Sequence, residues 1–212
     1  MLGGFAMPQP MVLITAFEPF GEWRTNASWQ CLMQFTRDLP SEPKIVTRLY
    51  PVDFAAARTR LCRDLSANYD VVLHLGQAAG RAVIELEMFG LNVGGTPGEE
   101  TAGLRPLEAD GPPAFRSELP LQGWAEKLRV RGIPAKVSYH AGTYLCNAML
   151  YWTHYFTARD GWRTRAAFIH LPLEPSQVVD AGRNLASMPV SMTSAALRCI
   201  VGEIEAELNR LA

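Results

Sequence analysis

The chain has 212 residues, 48% of them hydrophobic and 19% charged, with a formal net charge of −1. That balance suits one globular domain with a sizeable core. It excludes the broad basic surface of a nucleic-acid binder and the polybasic or acidic tails that seek membranes or partners. No stretch approaches the roughly 20 apolar residues of a membrane span, so neither nucleic acid nor membrane is expected as a partner and the setting is expected to be cytoplasmic.

Residues 1–10 are apolar but carry no Lys or Arg, and Pro8 and Pro10 interrupt them, so a signal peptide is not expected there. They are expected to form a flexible extension ahead of a single domain over 11–212. Met11 to Ala16 reads as a buried strand, followed by a turn at Pro19 to Gly21. Asn26 can cap a helix running to about Asp38. Lys44 to Leu49 is a second strand, and Asp53 caps a helix with Phe54, Ala57, Leu61 and Leu65 on one face.

A third strand spans Asp70 to Leu75, and residues 82 to 93 are apolar and extended. Gly94 to Pro120 is rich in Gly, Pro and Glu and is expected to be a long loop, of the kind that serves function or a subunit contact. Leu121 to Arg131 is helical and stops at Gly132. Ala135 to Tyr139 is a strand, Leu145 to about Thr157 a helix, and Ala166 to Leu171 a strand. A last helix, about Met192 to Leu211, repeats apolar residues at helical spacing. Strands alternating with helices predict an α/β fold: a single-domain three-layer α/β/α sandwich around a mostly parallel, mixed central sheet. In such folds ligands sit beyond the carboxyl ends of the strands.

Four cysteines (Cys31, Cys62, Cys146, Cys199) and four histidines (His74, His140, His154, His170) show neither CxxC, HExxH nor HxH spacing. No metal site and no cofactor are therefore expected, nor a disulfide framework. Cys31, Cys62 and Cys199 lie within amphipathic helices and read as core residues. Cys146 instead falls at a helix N-terminus, where the macrodipole and free N–H groups favour a thiolate and can hold an oxyanion. The alternative for it is a small buried hydrophobe.

A cysteine nucleophile needs a base, and the base needs an orienting group. His170 ends a strand and is the natural candidate, with His140, beside the Cys146 loop, as its rival. His74 is expected to pack inside its strand and His154 to lie on a helix surface. Glu85 and Glu87 share one face of an otherwise apolar segment, and periodicity leaves the choice between them open.

Four segments, in order from Met11 onward, resemble those of pyroglutamyl peptidase I. Thr15-Ala16-Phe17-Glu18-Pro19-Phe20-Gly21 with Asn26-Ala27-Ser28 is similar to TGFxPFG and NPS, and Gly76-Gln77-Ala78-Ala79-Gly80-Arg81 to GQAGGR. Ala141-Gly142-Thr143-Tyr144-Leu145-Cys146-Asn147 resembles AGTFVCN, and Phe168-Ile169-His170-Leu171-Pro172 resembles FIHIP. The resemblance implies a cofactor-free cysteine exopeptidase that removes N-terminal pyroglutamate from peptides through an acyl-enzyme. It implies Cys146, His170 and Glu87 as the triad. Phe17, Phe20 and Tyr144 would line the lactam slot, with Asn26 and the Gln77 backbone hydrogen-bonding the ring. It also implies a homo-oligomer, dimer or tetramer.

The chain departs from the family pattern in places. Where the family often reads ERVAIN it has Glu87-Met88-Phe89-Gly90-Leu91-Asn92, so a charged group beside the triad is expected to be lost. Thr96-Pro97-Gly98-Glu99-Glu100 replaces an IPDN-like stretch, Ala79 stands for a glycine, and His140 precedes the AGT segment.

Overall fold

The run Met11–Phe17 forms β1, buried from Val12 onward, as a strand flanked on both edges and covered on both faces must be. The structure, a computed structural model, describes residues 9–96 and 103–211, without the Leu211 side chain; all but the last two residues of the expected extension lie outside it. The remaining strands are β2 (Lys44–Tyr50), β3 (Val71–Gln77), β4 (Ile84–Glu87), β5 (Phe89–Leu91), β6 (Ala114–Arg116), β7 (Ala135–Ser138) and β8 (Arg165–Leu171). The helices are α1 (Ala27–Phe35), α2 (Phe54–Leu65), α3 (Leu121–Val130), α4 (Leu145–Asp160), α5 (Pro175–Ala181) and α6 (Val190–Leu211).

Six strands make one sheet in the order β2-β1-β3-β8-β4-β7. The first four run parallel, β4 is antiparallel to β8, and β7 runs parallel to β4. One face packs against α1, α3 and α6 through residues such as Ile14, Leu73, Ile169, Trp124 and Ile200. The other packs against α2 and α4 through Leu13, Val72, Phe168, Leu61 and Met149. This is the three-layer α/β/α arrangement with a mixed, mostly parallel sheet that the alternation of patterns predicts. No helix among the described residues is long and apolar enough to cross a membrane.

Local chemistry fixes the element boundaries. Asn26 Oδ1 accepts from Ser28 N at 3.0 Å and Asp53 Oδ1 from Ala56 N at 2.8 Å, so both expected caps are made. α1 ends at Phe35 rather than near Asp38, with the Thr36 N–H closing onto Leu32 O. α4 runs on to Asp160 and stops at Gly161, whose left-handed φ of 70° suits glycine.

Three expectations are corrected. The segment 94–120 is not all loop: β6 pairs antiparallel with β5 and forms a second, two-stranded sheet. That sheet lies on α4, with Phe115 packed against Tyr151 at 5.2 Å and against His154 at 5.8 Å. His154, expected at the surface, is therefore buried, because α4 is covered on this side too. The third correction is Cys62, which is only partly buried and takes a contact from Arg159 Nη2 at 3.7 Å, whereas Cys31 and Cys199 are in the core.

Candidate active site

β3 and β8 are neighbours in register, with Gly76 opposite His170 and Gln77 opposite Leu171. Their carboxyl ends therefore set His170 beside Gly76, with Gln77 one residue further along β3. On the other side of β8, Glu85 stands across from His170 and Glu87 across from Phe168. Cross-strand partners share a face, so His170, Phe168 and both carboxylates point to the α4 side. α4 enters that face from its N-terminus, with Tyr144 as its N-cap residue and Cys146 in its first turn.

A missing side chain makes this approach possible. A Cβ built on Gly76 would lie 2.5 Å from the Phe168 ring and 3.2 Å from Cys146 Sγ, so glycine leaves room for both beneath β3. A Cβ on Gly90 would meet the Tyr151 backbone at 2.7 Å, so β5 can lie directly on α4 only with glycine there. Asn147, buried in the first turn of α4, completes the tie. Its Oδ1 accepts from Leu91 N at 2.8 Å, and its Nδ2 donates to Leu91 O at 2.9 Å and Val93 O at 2.8 Å.

Of the two carboxylates that alternation leaves equivalent, Glu87 meets the histidine: His170 Nδ1 and Glu87 Oε1 are 2.7 Å apart, both residues buried. The Cys146 thiol packs against Gly76, the cross-strand partner of His170. Burial works against a charge on His170, but the charge and hydrogen bond of Cys146, and then those of Glu87, raise its pKa to about 10. Burial likewise opposes ionisation of Glu87, yet the hydrogen bond and charge of His170, with smaller pulls from Ser138 and Arg81, hold its pKa below the usual carboxylate range. An imidazole held in this way can take a thiol proton, with the Glu87 carboxylate beside the resulting cation.

Glu85 does something else. Arg81 Nε approaches its Oε2 at 3.2 Å and Lys136 Nζ its Oε1 at 2.9 Å, so two partly exposed cations hold this buried carboxylate away from His170. His74 is wedged between Thr15 Oγ1 (2.7 Å) and Thr153 Oγ1 (2.8 Å), and burial pushes its pKa down to about 3. His140 is exposed, and its Nδ1 accepts from Gly142 N at 3.0 Å. Met88 packs with Leu86 into the opposite core, so position 88 points away from the His170 face. Of the altered loop, Gly95 N donates to Thr143 O at 3.0 Å, while residues 97–100 lie outside the described residues.

Beside Cys146 a slot is lined by Phe17, Phe20, Asn26, Val52, Gln77, Tyr144 and Leu145. All five residues expected around a lactam thus converge, joined by Leu145 of the same segment as Cys146 and by Val52, which lies in no motif. Asn26 is largely occupied as a cap: Oδ1 accepts from Ser28 N and Oγ, and Nδ2 donates to Glu18 O at 3.0 Å. Gln77 Oε1 accepts from Ala27 N and Gln177 Nε2, both at 2.8 Å, while its Nε2 is buried without a hydrogen-bond partner. Among the described residues no group of three or more His, Cys, Asp and Glu is placed to hold a metal ion.

The family model for pyroglutamyl peptidase matches residues 10–207. The chain belongs to the pyroglutamyl peptidase family. It is 39% identical over 173 residues to pyrrolidone-carboxylate peptidase of Chromobacterium violaceum, spanning 79% of this chain and 80% of that one. It is 37% identical over 173 residues to pyrrolidone-carboxylate peptidase 1 of Ralstonia nicotianae, with the same coverage. Among solved structures, pyrrolidone carboxyl peptidase from Thermococcus litoralis superposes with a TM-score of 0.86 at 31% identity, covering 96% of this chain and 97% of that one. The Fervidobacterium islandicum enzyme gives 0.86 at 30%, covering 93% and 99%. The pyroglutamyl peptidase fold thus accounts for nearly the whole chain.

Proposed function

We propose that this member of the family hydrolyses N-terminal pyroglutamyl residues from peptides, with Cys146, His170 and Glu87 as its catalytic residues. The observation that carries the reading is the 2.7 Å bond between His170 and Glu87, with Cys146 at the edge of an aromatic slot and against Gly76, the strand neighbour of His170. His170 takes the thiol proton as Cys146 Sγ attacks the pyroglutamyl carbonyl carbon, and the carbonyl electrons move onto oxygen. The N–H groups of the first turn of α4 have no intrahelical acceptor and are placed to stabilise that oxyanion. As the carbon–nitrogen bond breaks, His170 passes its proton to the leaving amine, and a thioester remains on Cys146. His170 then takes a proton from water, the resulting hydroxide equivalent attacks the thioester, and pyroglutamate leaves with the thiol restored. Glu87 holds the ring with Nδ1 inward and stabilises its protonated form.

Pyroglutamate is an uncharged lactam with no ammonium group, and the slot suits it. Phe17, Phe20 and Tyr144 supply apolar walls, and no carboxylate lines it to pair with a free amine. Gln77 Nε2 is a buried donor with nothing to bond, so the side chain of Gln77, rather than the backbone expected from the resemblance, is the better ring-carbonyl donor. Asn26 keeps one amide hydrogen for the same ring. The enzyme is further proposed to act in the cytoplasm as a homo-oligomer, dimer or tetramer, a reading that rests on the family resemblance.

Coumarin amides of pyroglutamate, proline, alanine and acetate, assayed under reducing conditions, test the substrate class. Cleavage confined to the pyroglutamyl amide is expected. A faster prolyl or acetyl substrate would point to a different amidohydrolase built on the same site.

A further inference from the structure

α5 lies outside every motif discussed so far, yet its one buried side chain reaches Gln77, a residue of the slot wall. Gln177 Oε1 accepts from Glu174 N at 2.8 Å, closing the capping box that starts the helix. Its Nε2 donates twice, to Thr25 O at 3.0 Å and to Gln77 Oε1 at 2.8 Å. Gln77 Oε1 thus faces two donors, Gln177 Nε2 and Ala27 N, and both are fixed, one by a helix cap and one by the start of α1. Rotating the Gln77 carboxamide by half a turn would set its NH2 group against those two N–H donors and leave all of them unpaired in a buried place. Each such orphan costs about 1–3 kcal/mol, so the carboxamide is held in one sense with Nε2 unpaired.

We propose that Gln177 is a positioning residue for lactam recognition: it locks the Gln77 carboxamide so that Nε2 is the group offered to the ring carbonyl. The proposal rests on the reading that Gln77 contacts the lactam. It assigns to α5 a part in specificity at one remove from the substrate. Pre-organising the donor in this way spares the substrate the cost of turning it on binding. It also selects for a ring oxygen, since an unsubstituted pyrrolidine offers no acceptor to the waiting N–H groups.

Gln177→Glu is the sharpest probe, because a carboxylate of the same shape faces Thr25 O and Gln77 Oε1 with acceptors only and drives Gln77 to turn over. The expected result is a rise of about tenfold or more in KM for the pyroglutamyl coumarin amide and in the inhibition constant of 2-pyrrolidinone, with kcat changed far less. Tenfold corresponds to about 1.4 kcal/mol, the scale of one hydrogen bond. The rate of Cys146 alkylation by iodoacetamide, which needs no lactam contact, should stay close to that of the unaltered enzyme. Should Gln177→Glu not accumulate as folded protein, Gln177→Met removes the same donor without adding charge and is read in the same way. A folded variant with unchanged KM and unchanged 2-pyrrolidinone inhibition would overturn the role of Gln177. Gln77→Met separates the two readings. If it too leaves KM unchanged, the contact between Gln77 and the lactam is wrong; if it alone raises KM, only the Gln177 link fails.

Discussion

Glu87 and Glu85 differ by two positions, share a face and are both buried, yet only Glu87 touches the imidazole. Glu87→Gln keeps the shape but removes the charge that favours imidazolium and permits the wrong ring tautomer. A fall in kcat on the order of 10³–10⁴ is expected, by analogy with the aspartate-to-asparagine change in serine proteases. Glu85→Gln should cost far less activity, since Arg81 and Lys136, not His170, answer that carboxylate. Steady-state kinetics of the two variants checks the assignment, and equal losses would contradict it. Strand pattern alone could not separate the two, because alternation sends every second side chain to the same side; the family resemblance supplied the choice. Cys146 and His170 were easier to single out, being at a helix start and a strand end where chemistry gathers. Gln177 lies in no such place, and Asn147, although it follows Cys146 at the helix start, shows nothing in sequence of its tie to β5. Their partners lie 100 and 56 residues away, and a side-chain hydrogen bond across that distance has no periodicity to read.

At the scale of elements, every long strand and helix could be read from hydrophobic period and caps. The pieces that escaped were short. β6 spans three residues between Pro113 and Ser117, too few for an alternation to show. α5 has seven residues. Both matter, since one buries His154 and the other carries Gln177. The place where β3 admits α4 is equally hidden in sequence, because a glycine after a strand reads only as a turn. Gly76→Ala would press a methyl group into the Phe168 ring and against Cys146. Overpacking of this kind costs about 1–3 kcal/mol, so the urea midpoint should fall by a corresponding amount. Activity should fall further than stability, because the displaced groups are the floor of the site and its proposed nucleophile. A variant with unaltered midpoint and turnover would contradict the close approach.

For the whole molecule, two buried histidines set the acid limit. His74 and His154 are held neutral by burial, with pKa values near 3 and 4 against an ordinary 6.5. Above about pH 6.5 neither state binds these protons and the two groups have no effect. As pH falls below that value the unfolded chain takes up protons that the folded chain refuses, so stability drops until the folded pKa values are reached. With two such groups the slope approaches about 2.7 kcal/mol per pH unit at its steepest. Glu87, whose folded pKa is depressed, adds to the loss at the lower end of the same range. Urea unfolding between pH 7 and 4 should show this limb, and His154→Gln should make it shallower. A flat profile would mean that the histidines are not shielded as placed. The central claim, that Cys146 carries the acyl group, is tested most directly by rapid acid quench during turnover of a pyroglutamyl ester, followed by peptide mass analysis. The account predicts a mass increment of one pyroglutamyl group on the peptide containing Cys146, absent in Cys146→Ser. Full turnover by Cys146→Ser, or an adduct on Cys62 in its place, would contradict it.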